Sequence, residues 1–192
     1  MTTPEPTLLL RRIADGDEEA LRQLYVEYRP RLRRYLWHQL DGDGLAIEEA
    51  LQDTFLAVWR SAGGYRGEAK FATWLFQIAH YVALRTRKAS AQRGRSETEI
   101  ASDPPEGAVI PMAASPEDTV LEQLAFDEAL SRLTPKHRAV LQLVFQQGFS
   151  AEEAAQILGV PVGTVKSRVS YARRALQSAL ACRLSEEARH DA

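Results

Sequence analysis

The segment from residue 96 to residue 128 divides this 192-residue chain into two short blocks. It carries nine acidic side chains and no basic one, and its first part, residues 96–116, contains four prolines and no aromatic residue. Such a segment cannot bury enough apolar surface to offset the entropy of ordering its backbone. We therefore expect a flexible acidic linker at residues 96–117, between one domain at residues 1–95 and another at residues 118–192.

The two flanking blocks are mildly basic, although the formal net charge of the chain is −2. Residues 1–95 carry 15 basic and 12 acidic side chains, and residues 129–192 carry 9 basic and 5 acidic ones. This division favours two modules that contact a polyanion. It also fits two solvated domains joined by a hydrophilic connector, and charge alone does not separate these interpretations.

Apolar side chains in the first block recur at helical spacing, with no strand pattern. Asp17 can cap a helix that runs to about residue 38, and further helices are predicted at about residues 46–61 and 71–88. A glycine pair, Gly63 and Gly64, ends the second of these helices. The fold class predicted is therefore all-α, with two small helical domains.

The second block predicts a helix-turn-helix. Pro135 begins a helix whose apolar face holds four side chains, namely Val140, Leu141, Val144 and Phe145. Ser150 and Glu153 form the capping-box pattern of a short helix at residues 151–158. A tight turn at residues 159–161 then leads to a last helix at about residues 162–180.

The last predicted helix combines an apolar stripe with small polar side chains and cations near its N-terminus. The candidate residues for duplex DNA are Thr164, Lys166, Ser167, Arg168, Ser170, Tyr171 and Arg174. Side chains of these types enter the major groove from a recognition helix or contact its phosphates. An amphipathic helix with an ordinary solvated basic face is the alternative interpretation.

Aromatic and basic side chains alternate between residues 65 and 88, a mixture that suits single-stranded nucleic acid. Tyr65, Arg66 and Lys70 fall in a glycine-containing loop, where side chains are exposed, and are the best candidates for contact. By contrast, Phe71 and Trp74 lie at helical spacing and are expected in the core.

No catalytic or metal-binding pattern is present. Calcium loops beginning at Asp15 or Asp41 lack the required glycine and glutamate, the four histidines are scattered, and no phosphate-binding glycine loop occurs. We expect no enzymatic activity, no cofactor and no metal site. The single cysteine, Cys182, suits a reducing compartment.

The chain also lacks targeting features. Its first residues have no basic signal-peptide start. The longest uncharged stretch, residues 71–84, is too short to span a membrane. We expect no membrane insertion and a cytoplasmic location.

Two groups of motifs resemble the extracytoplasmic-function sigma factors of bacterial RNA polymerase. The sequences EALQDTFLAVWR (residues 49–60), YRG (65–67) and FATWLFQIA (71–79) are similar to the family's second conserved region. The sequences LTP (133–135), GFSAEEAA (148–155) and PVGTVKSR (161–168) are similar to its fourth.

The resemblance implies a division of roles. The helix with Glu48, Glu49, Gln52 and Asp53 would bind the clamp helices of core RNA polymerase. The following loop and helix, through Tyr65, Arg66, Lys70, Tyr81 and Arg85, would capture an unstacked base of the minus-ten element and assist melting of the duplex. The last helix would read the minus-thirty-five element as duplex DNA, and an anti-sigma factor would be the regulatory partner.

The chain departs from the family pattern at three positions. The family often has Asn near Tyr81, Asp near Arg85 and Arg at the place of Tyr171, so promoter contacts are expected to differ there. A conventional helix-turn-helix regulator, which does not replace a sigma factor, remains the alternative. The second block alone would fit such a regulator, whereas the helix with Gln52 and Asp53 does not.

Overall fold

The computed structural model describes residues 6–95 and 133–171, and every regular element within these two ranges is helical. The N-terminal lobe (residues 6–95) contains α1 (Pro6–Ala14), α2 (Glu18–Gln39), α3 (Gly44–Ser61) and α4 (Phe71–Arg95). The C-terminal lobe (residues 133–171) contains α5 (Pro135–Leu141), α6 (Ala151–Leu158) and α7, which begins at residue 162 and is described as far as residue 171. The predicted all-α class is confirmed.

Aspartates start the second and third helices. Asp17 accepts a hydrogen bond from the backbone N–H of Ala20 at 3.0 Å. Asp43 accepts bonds from the N–H groups of Leu45 and Ala46, each at 3.1 Å. These carboxylates satisfy amides that have no partner inside the helix. Because the cap is Asp43, α3 begins two residues earlier than predicted.

The core of the N-terminal lobe lies where α2 packs against α3 and α4. Its fully buried side chains include Leu24, Leu32, Tyr35, Leu36, Ile47, Leu51, Leu75 and Phe76. The ring of Tyr35 meets that of Phe76 edge-on at 5.5 Å. This helical spacing of buried residues is what the sequence predicted for α2 and α3.

A polar pair, formed by a buried tyrosine and a half-buried histidine, links α2 to α4. The Tyr35 hydroxyl lies 2.7 Å from Nδ1 of His80. Burial, helped by the charge of Arg87, lowers the pKa of His80 to about 4. Burial also raises the pKa of Tyr35. Both side chains are therefore neutral at pH 7.

Helix α1 was not predicted from the sequence. It packs against α2 and buries Leu9, Leu10 and Ile13. These side chains recur at i, i+1 and i+4, a spacing that places them on one face of a helix.

The helix after Pro135 does not keep the predicted register. Residues Gln142–Gln146 form a π-helical turn, in which backbone bonds span one residue more than in an α-helix. The turn places Leu143 in the core and leaves Phe145 44% exposed. The expectation that Phe145 lies on the buried face, based on an uninterrupted α-helix, is therefore wrong.

The capping box of α6 is present as predicted. The Ser150 hydroxyl accepts a bond from the Glu153 N–H at 3.1 Å, and Oε2 of Glu153 accepts one from the Ser150 N–H at 2.8 Å. Gly159 then ends α6 with a left-handed backbone, φ 64°. The first helix of the helix-turn-helix, α6, is therefore capped at both ends.

The two lobes pack against each other through α2, α4, α5 and α6. The rings of Phe76 and Phe149 meet at 5.0 Å. Beside them, the buried amide of Gln39 donates to the Gln142 side chain at 2.7 Å. The sequence indicated two domains joined by a linker and gave no sign of this contact, which we call the lobe interface.

Candidate nucleic-acid and protein interfaces

The four residues expected to contact the polymerase lie on α3, and two of them are engaged in ion pairs with other helices. Glu49 and Gln52 are exposed. Glu48 pairs with Arg29 at 3.2 Å and Arg33 at 3.4 Å on α2. Asp53 pairs with Arg85 on α4. This edge of α3 is therefore polar, partly neutralised and accessible to a partner protein.

Tyr81 and Arg85, two of the candidate minus-ten residues, lie one turn apart on α4. The Tyr81 side chain is 70% exposed. Arg85 is exposed as well, but its guanidinium is directed to the Asp53 carboxylate. Tyr81 is therefore accessible, whereas the guanidinium of Arg85 is partly occupied by Asp53.

The loop between α3 and α4 holds the other candidate minus-ten residues. A 3₁₀ turn, Ala62–Gly64, leads into it. Tyr65 is half-buried, because its hydroxyl donates to the Ala69 carbonyl at 2.7 Å and its ring packs 5.2 Å from Trp74. Arg66 and Lys70 are exposed, as predicted.

A cavity of about 460 Å³ opens beside this loop and is lined in part by Tyr65, Arg66, Trp74 and Gln77. Aromatic faces, a cation and an amide are the groups that stack on and hydrogen-bond to an unpaired base. The prediction of Trp74 as a core residue is incomplete, because the half-buried ring also faces the cavity. The i, i+3 spacing of Trp74 and Gln77 on one helix was the signal that could have identified both.

Helix α7 displays most of the residues expected to contact duplex DNA. Val165 is buried and anchors the helix, while Lys166, Ser167, Ser170 and Tyr171 are exposed. Two further candidates, Thr164 and Arg168, are half-buried. The last, Arg174, lies outside the described residues.

Local contacts hold part of this surface in place. The Ser167 hydroxyl donates to the Thr164 carbonyl at 3.0 Å. The Tyr171 ring stacks on His137 of α5 with 4.8 Å between ring centres. Lys166 lies 3.6 Å from Glu152 of α6. In the helix-turn-helix, α6 therefore helps to position the Lys166 ammonium group of α7.

Glu152 and Glu153, at the start of α6, both carry negative charge at pH 7. Backbone hydrogen bonds hold their pKa values below the usual range, with further lowering by Lys166 for Glu152 and by Lys70 for Glu153. Glu153 lies 2.9 Å from Lys70 across the lobe interface. A candidate minus-ten residue and a candidate minus-thirty-five residue thus pair with adjacent acids.

The described parts of the chain contain neither a metal-binding cluster nor a membrane-spanning helix. In residues 6–95 and 133–171, no three His, Cys, Asp or Glu side chains are grouped so that they could hold a metal ion. The helices of the same residues include none with the length and apolar character needed to cross a membrane.

Comparison with known proteins assigns both lobes. Residues 24–93 match the family model for Sigma-70 region 2, and residues 123–176 match the model for Sigma-70, region 4. The chain is 32% identical over 170 residues to the ECF RNA polymerase sigma factor SigL of Mycobacterium tuberculosis, which covers 87% of this chain and 92% of that protein. It is 29% identical over 177 residues to the ECF RNA polymerase sigma-E factor of Haemophilus influenzae, covering 88% and 92%.

Solved structures have the same fold. The sigma factor RpoE of Bartonella quintana, in complex with the anti-sigma factor NepR, has a TM-score of 0.58 at 28% identity, covering 83% of this chain and 95% of that one. CnrH, in complex with the cytosolic domain of CnrY, has a TM-score of 0.64 at 24% identity, covering 92% and 97%, and shows likeness of fold. With two sigma regions in the expected order and relatives matched over most of their length, this chain belongs to the extracytoplasmic-function family of RNA polymerase sigma factors.

Proposed function

We propose that this sigma factor uses three separate surfaces for its three binding tasks. The exposed edge of α3, with Glu48, Glu49, Gln52 and Asp53, binds a basic surface of core RNA polymerase. The loop with Tyr65, Arg66 and Lys70 holds an unstacked base of the minus-ten element. The exposed face of α7, including Lys166, reads the minus-thirty-five element in duplex DNA.

The cavity beside Tyr65 is the observation that carries the single-strand assignment. It places an aromatic ring, a guanidinium and an amide around a space of about 460 Å³, which is large enough for one base. A helix-turn-helix regulator that reads only duplex DNA has no use for such a cavity on a second lobe. Base capture there favours the melted strand because a paired base cannot enter it.

The factor contributes binding and strand separation, while the polymerase supplies the chemistry of RNA synthesis. We therefore propose no enzymatic activity for this chain, and a site of action in the cytoplasm, where the polymerase works. An anti-sigma factor is proposed as its regulator. The solved complex of the related RpoE with NepR supports this proposal.

Reconstituted transcription tests the function. Transcript starts mapped after overexpression identify a promoter, and a fragment carrying it is incubated with sigma-free core polymerase and the purified chain. We expect run-off transcripts that start at the mapped position and require this chain. A conventional regulator would give none without another sigma factor, and that result would reject the proposal.

A further inference from the structure

Tyr171 lies on the exposed side of α7 together with two small polar residues. Ser167 and Ser170 precede it by four residues and one residue, and the spacing from Ser167 to each of the others places all three on one side of the helix. All three are exposed. Because serine side chains are short, this side of the helix can enter a groove closely, and the larger tyrosine ring then reaches the base edges.

The Tyr171 ring is held in place by His137 of α5. The two rings are stacked, with 4.8 Å between their centres and 24° between their planes. Tyr171 remains 43% exposed in this stack. An aromatic contact of this kind restricts the two side-chain torsions of the tyrosine, so less conformational freedom is lost when the ring binds DNA.

His137 is itself fixed by the residue that precedes α5. The hydroxyl of Thr134 makes no capping hydrogen bond to the helix backbone. It lies instead 2.8 Å from Nδ1 of His137. The half-buried imidazole is therefore oriented by Thr134 at one ring atom and by Tyr171 across its face.

An aromatic ring has one base-specific apolar partner in the major groove. The base edges there display hydrogen-bond donors and acceptors, and the apolar group among them is the 5-methyl of thymine. Tyr171 has no cation with which to bind a phosphate or guanine, in contrast to Lys166. Its ring is therefore suited to packing against a thymine methyl group.

We propose that His137 is a positioning residue for the minus-thirty-five element, which holds the Tyr171 ring where it packs against the 5-methyl group of one thymine. The inference rests on the proposed function, because that function places α7 in the major groove. Tyr171 makes the contact with DNA, and His137 acts through it. The pair adds a preference for thymine at one base pair, separate from the contact assigned to Lys166.

The Tyr171 hydroxyl offers a different contact, a hydrogen bond to a phosphate. Such a bond would raise the affinity for all sequences equally and would not depend on a methyl group. Tyr171→Phe separates the two contacts, because it keeps the ring and removes the hydroxyl. We expect Tyr171→Phe to retain the thymine preference, and its loss in this variant would contradict the proposal.

Replacement of thymine by uracil in the promoter tests the methyl contact, since uracil forms the same base pair without the 5-methyl group. Holoenzyme assembled from core polymerase and the full chain is titrated with promoter fragments in which each minus-thirty-five thymine, on either strand, is replaced in turn by deoxyuridine. We expect the affinity to fall about fourfold at one position, as for the loss of one buried methyl group. With Tyr171→Ala, the thymine and uracil fragments should bind with affinities within about 1.5-fold of each other.

Three substitutions on α5 test the role of His137. His137→Ala should reduce the thymine-to-uracil affinity ratio to less than about twofold, whereas His137→Phe keeps an aromatic partner for Tyr171 and should restore a ratio of about fourfold. Lys136→Ala, at the exposed neighbouring residue, is the matched control and should leave the ratio at about fourfold. If circular dichroism shows that His137→Ala loses helix, Thr134→Val takes its place, because it removes the hydroxyl beside Nδ1.

The affinity ratio separates positioning from folding. Misfolded protein binds neither fragment, so a loss of stability lowers both measured affinities and leaves their ratio unchanged. Holoenzyme that neither binds the promoter nor transcribes from it would overturn the proposed function and this inference with it. If the holoenzyme transcribes but discriminates at no thymine, or the element contains none, the inference alone is overturned. A ratio that is lost in Tyr171→Ala but unchanged in His137→Ala would reject His137 as the positioning residue.

Discussion

Arg85 of α4 pairs with Asp53 of α3, so that a cation expected at the minus-ten element neutralises an acid expected at the polymerase. Their side chains are 62% and 33% exposed. An ion pair as exposed as this contributes about 0–1 kcal/mol to stability. It can therefore exchange for contacts with DNA or polymerase at little cost.

Substitution of Asp53 tests the polymerase surface. Asp53→Arg should weaken binding to core polymerase at least about tenfold, because it places a second cation beside Arg85 where a basic partner is expected. Binding is measured by fluorescence anisotropy at moderate salt, and circular dichroism checks the fold. Arg85→Ala is the control, since it breaks the same ion pair but keeps the acid. Equal loss of core affinity in both variants would assign the effect to the pair and not to Asp53.

Substitution of Arg66 tests the cavity beside the loop. Arg66→Ala should reduce the permanganate reactivity of promoter thymines while duplex binding stays within about twofold, because the guanidinium is proposed to hold an unpaired strand. Arg60→Ala, at an exposed arginine in the last turn of α3, is the control for loss of a positive charge. Footprints identical to those of the unsubstituted chain would remove Arg66 from promoter melting.

Substitution of Lys166 distinguishes base reading from phosphate binding. Lys166→Ala should cost about 1–3 kcal/mol on duplex minus-thirty-five DNA and relax preference at one base pair if the ammonium reads a base. Equal losses on all sequences, with a salt slope smaller by about one, would make it a phosphate contact. Glu152→Gln is a useful companion, because it frees Lys166 from its acid and should not lower the affinity for DNA.

Stability should depend on pH through His80. Its pKa is about 4 in the folded chain, because of burial and the nearby Arg87, against an ordinary value of 6.5. Between these pH values the unfolded chain binds a proton that the folded chain does not. The free energy of unfolding should therefore fall by up to about 3 kcal/mol as the pH is lowered from about 6.5 to 4.

Urea unfolding at a series of pH values measures this dependence. His80→Asn, which keeps an acceptor near the Tyr35 hydroxyl, should show a flatter profile above pH 4.5. Glu19, with a pKa of about 2 because of hydrogen bonds from Arg22 and Gln23, loses its own contribution only as the pH falls through the acid range below its ordinary value of 4.5. A profile unchanged by His80→Asn would exclude this histidine as the source.

Local signals in the sequence predicted most of the individual helices. Asp17 before a periodic apolar stripe located the start of α2, and the Ser150–Glu153 capping box located α6, because both depend on hydrogen bonds within four residues. The π-helical turn at Gln142–Gln146 was not predictable in this way. The turn accompanies burial of Leu143 in a core shared with residues distant in the sequence, whereas periodicity alone assumes an unbroken α-helix.

For the binding surfaces too, local features were predictable from the sequence and contacts between distant residues were not. The exposure of Arg66, Lys70 and Lys166 was predictable from loop position and helical phase. The ion-pair partners of Lys70 and Lys166 were not, because each partner depends on which helices the fold brings together. The pairing of Lys70 with Glu153 joins residues 83 positions apart on different lobes, and no local rule contains it.

The two oxygens of the Glu153 carboxylate serve different parts of the molecule. Oε2 accepts from the Ser150 N–H and closes the cap of α6, while Oε1 meets Lys70 of the other lobe. Glu153 therefore contributes both to the folding of the helix-turn-helix and to the association of the two lobes. A substitution that removes both oxygens, such as Glu153→Ala, therefore loosens the N-terminus of α6 and the contact with the other lobe together, whereas Glu153→Gln keeps an acceptor for the cap and removes only the charge.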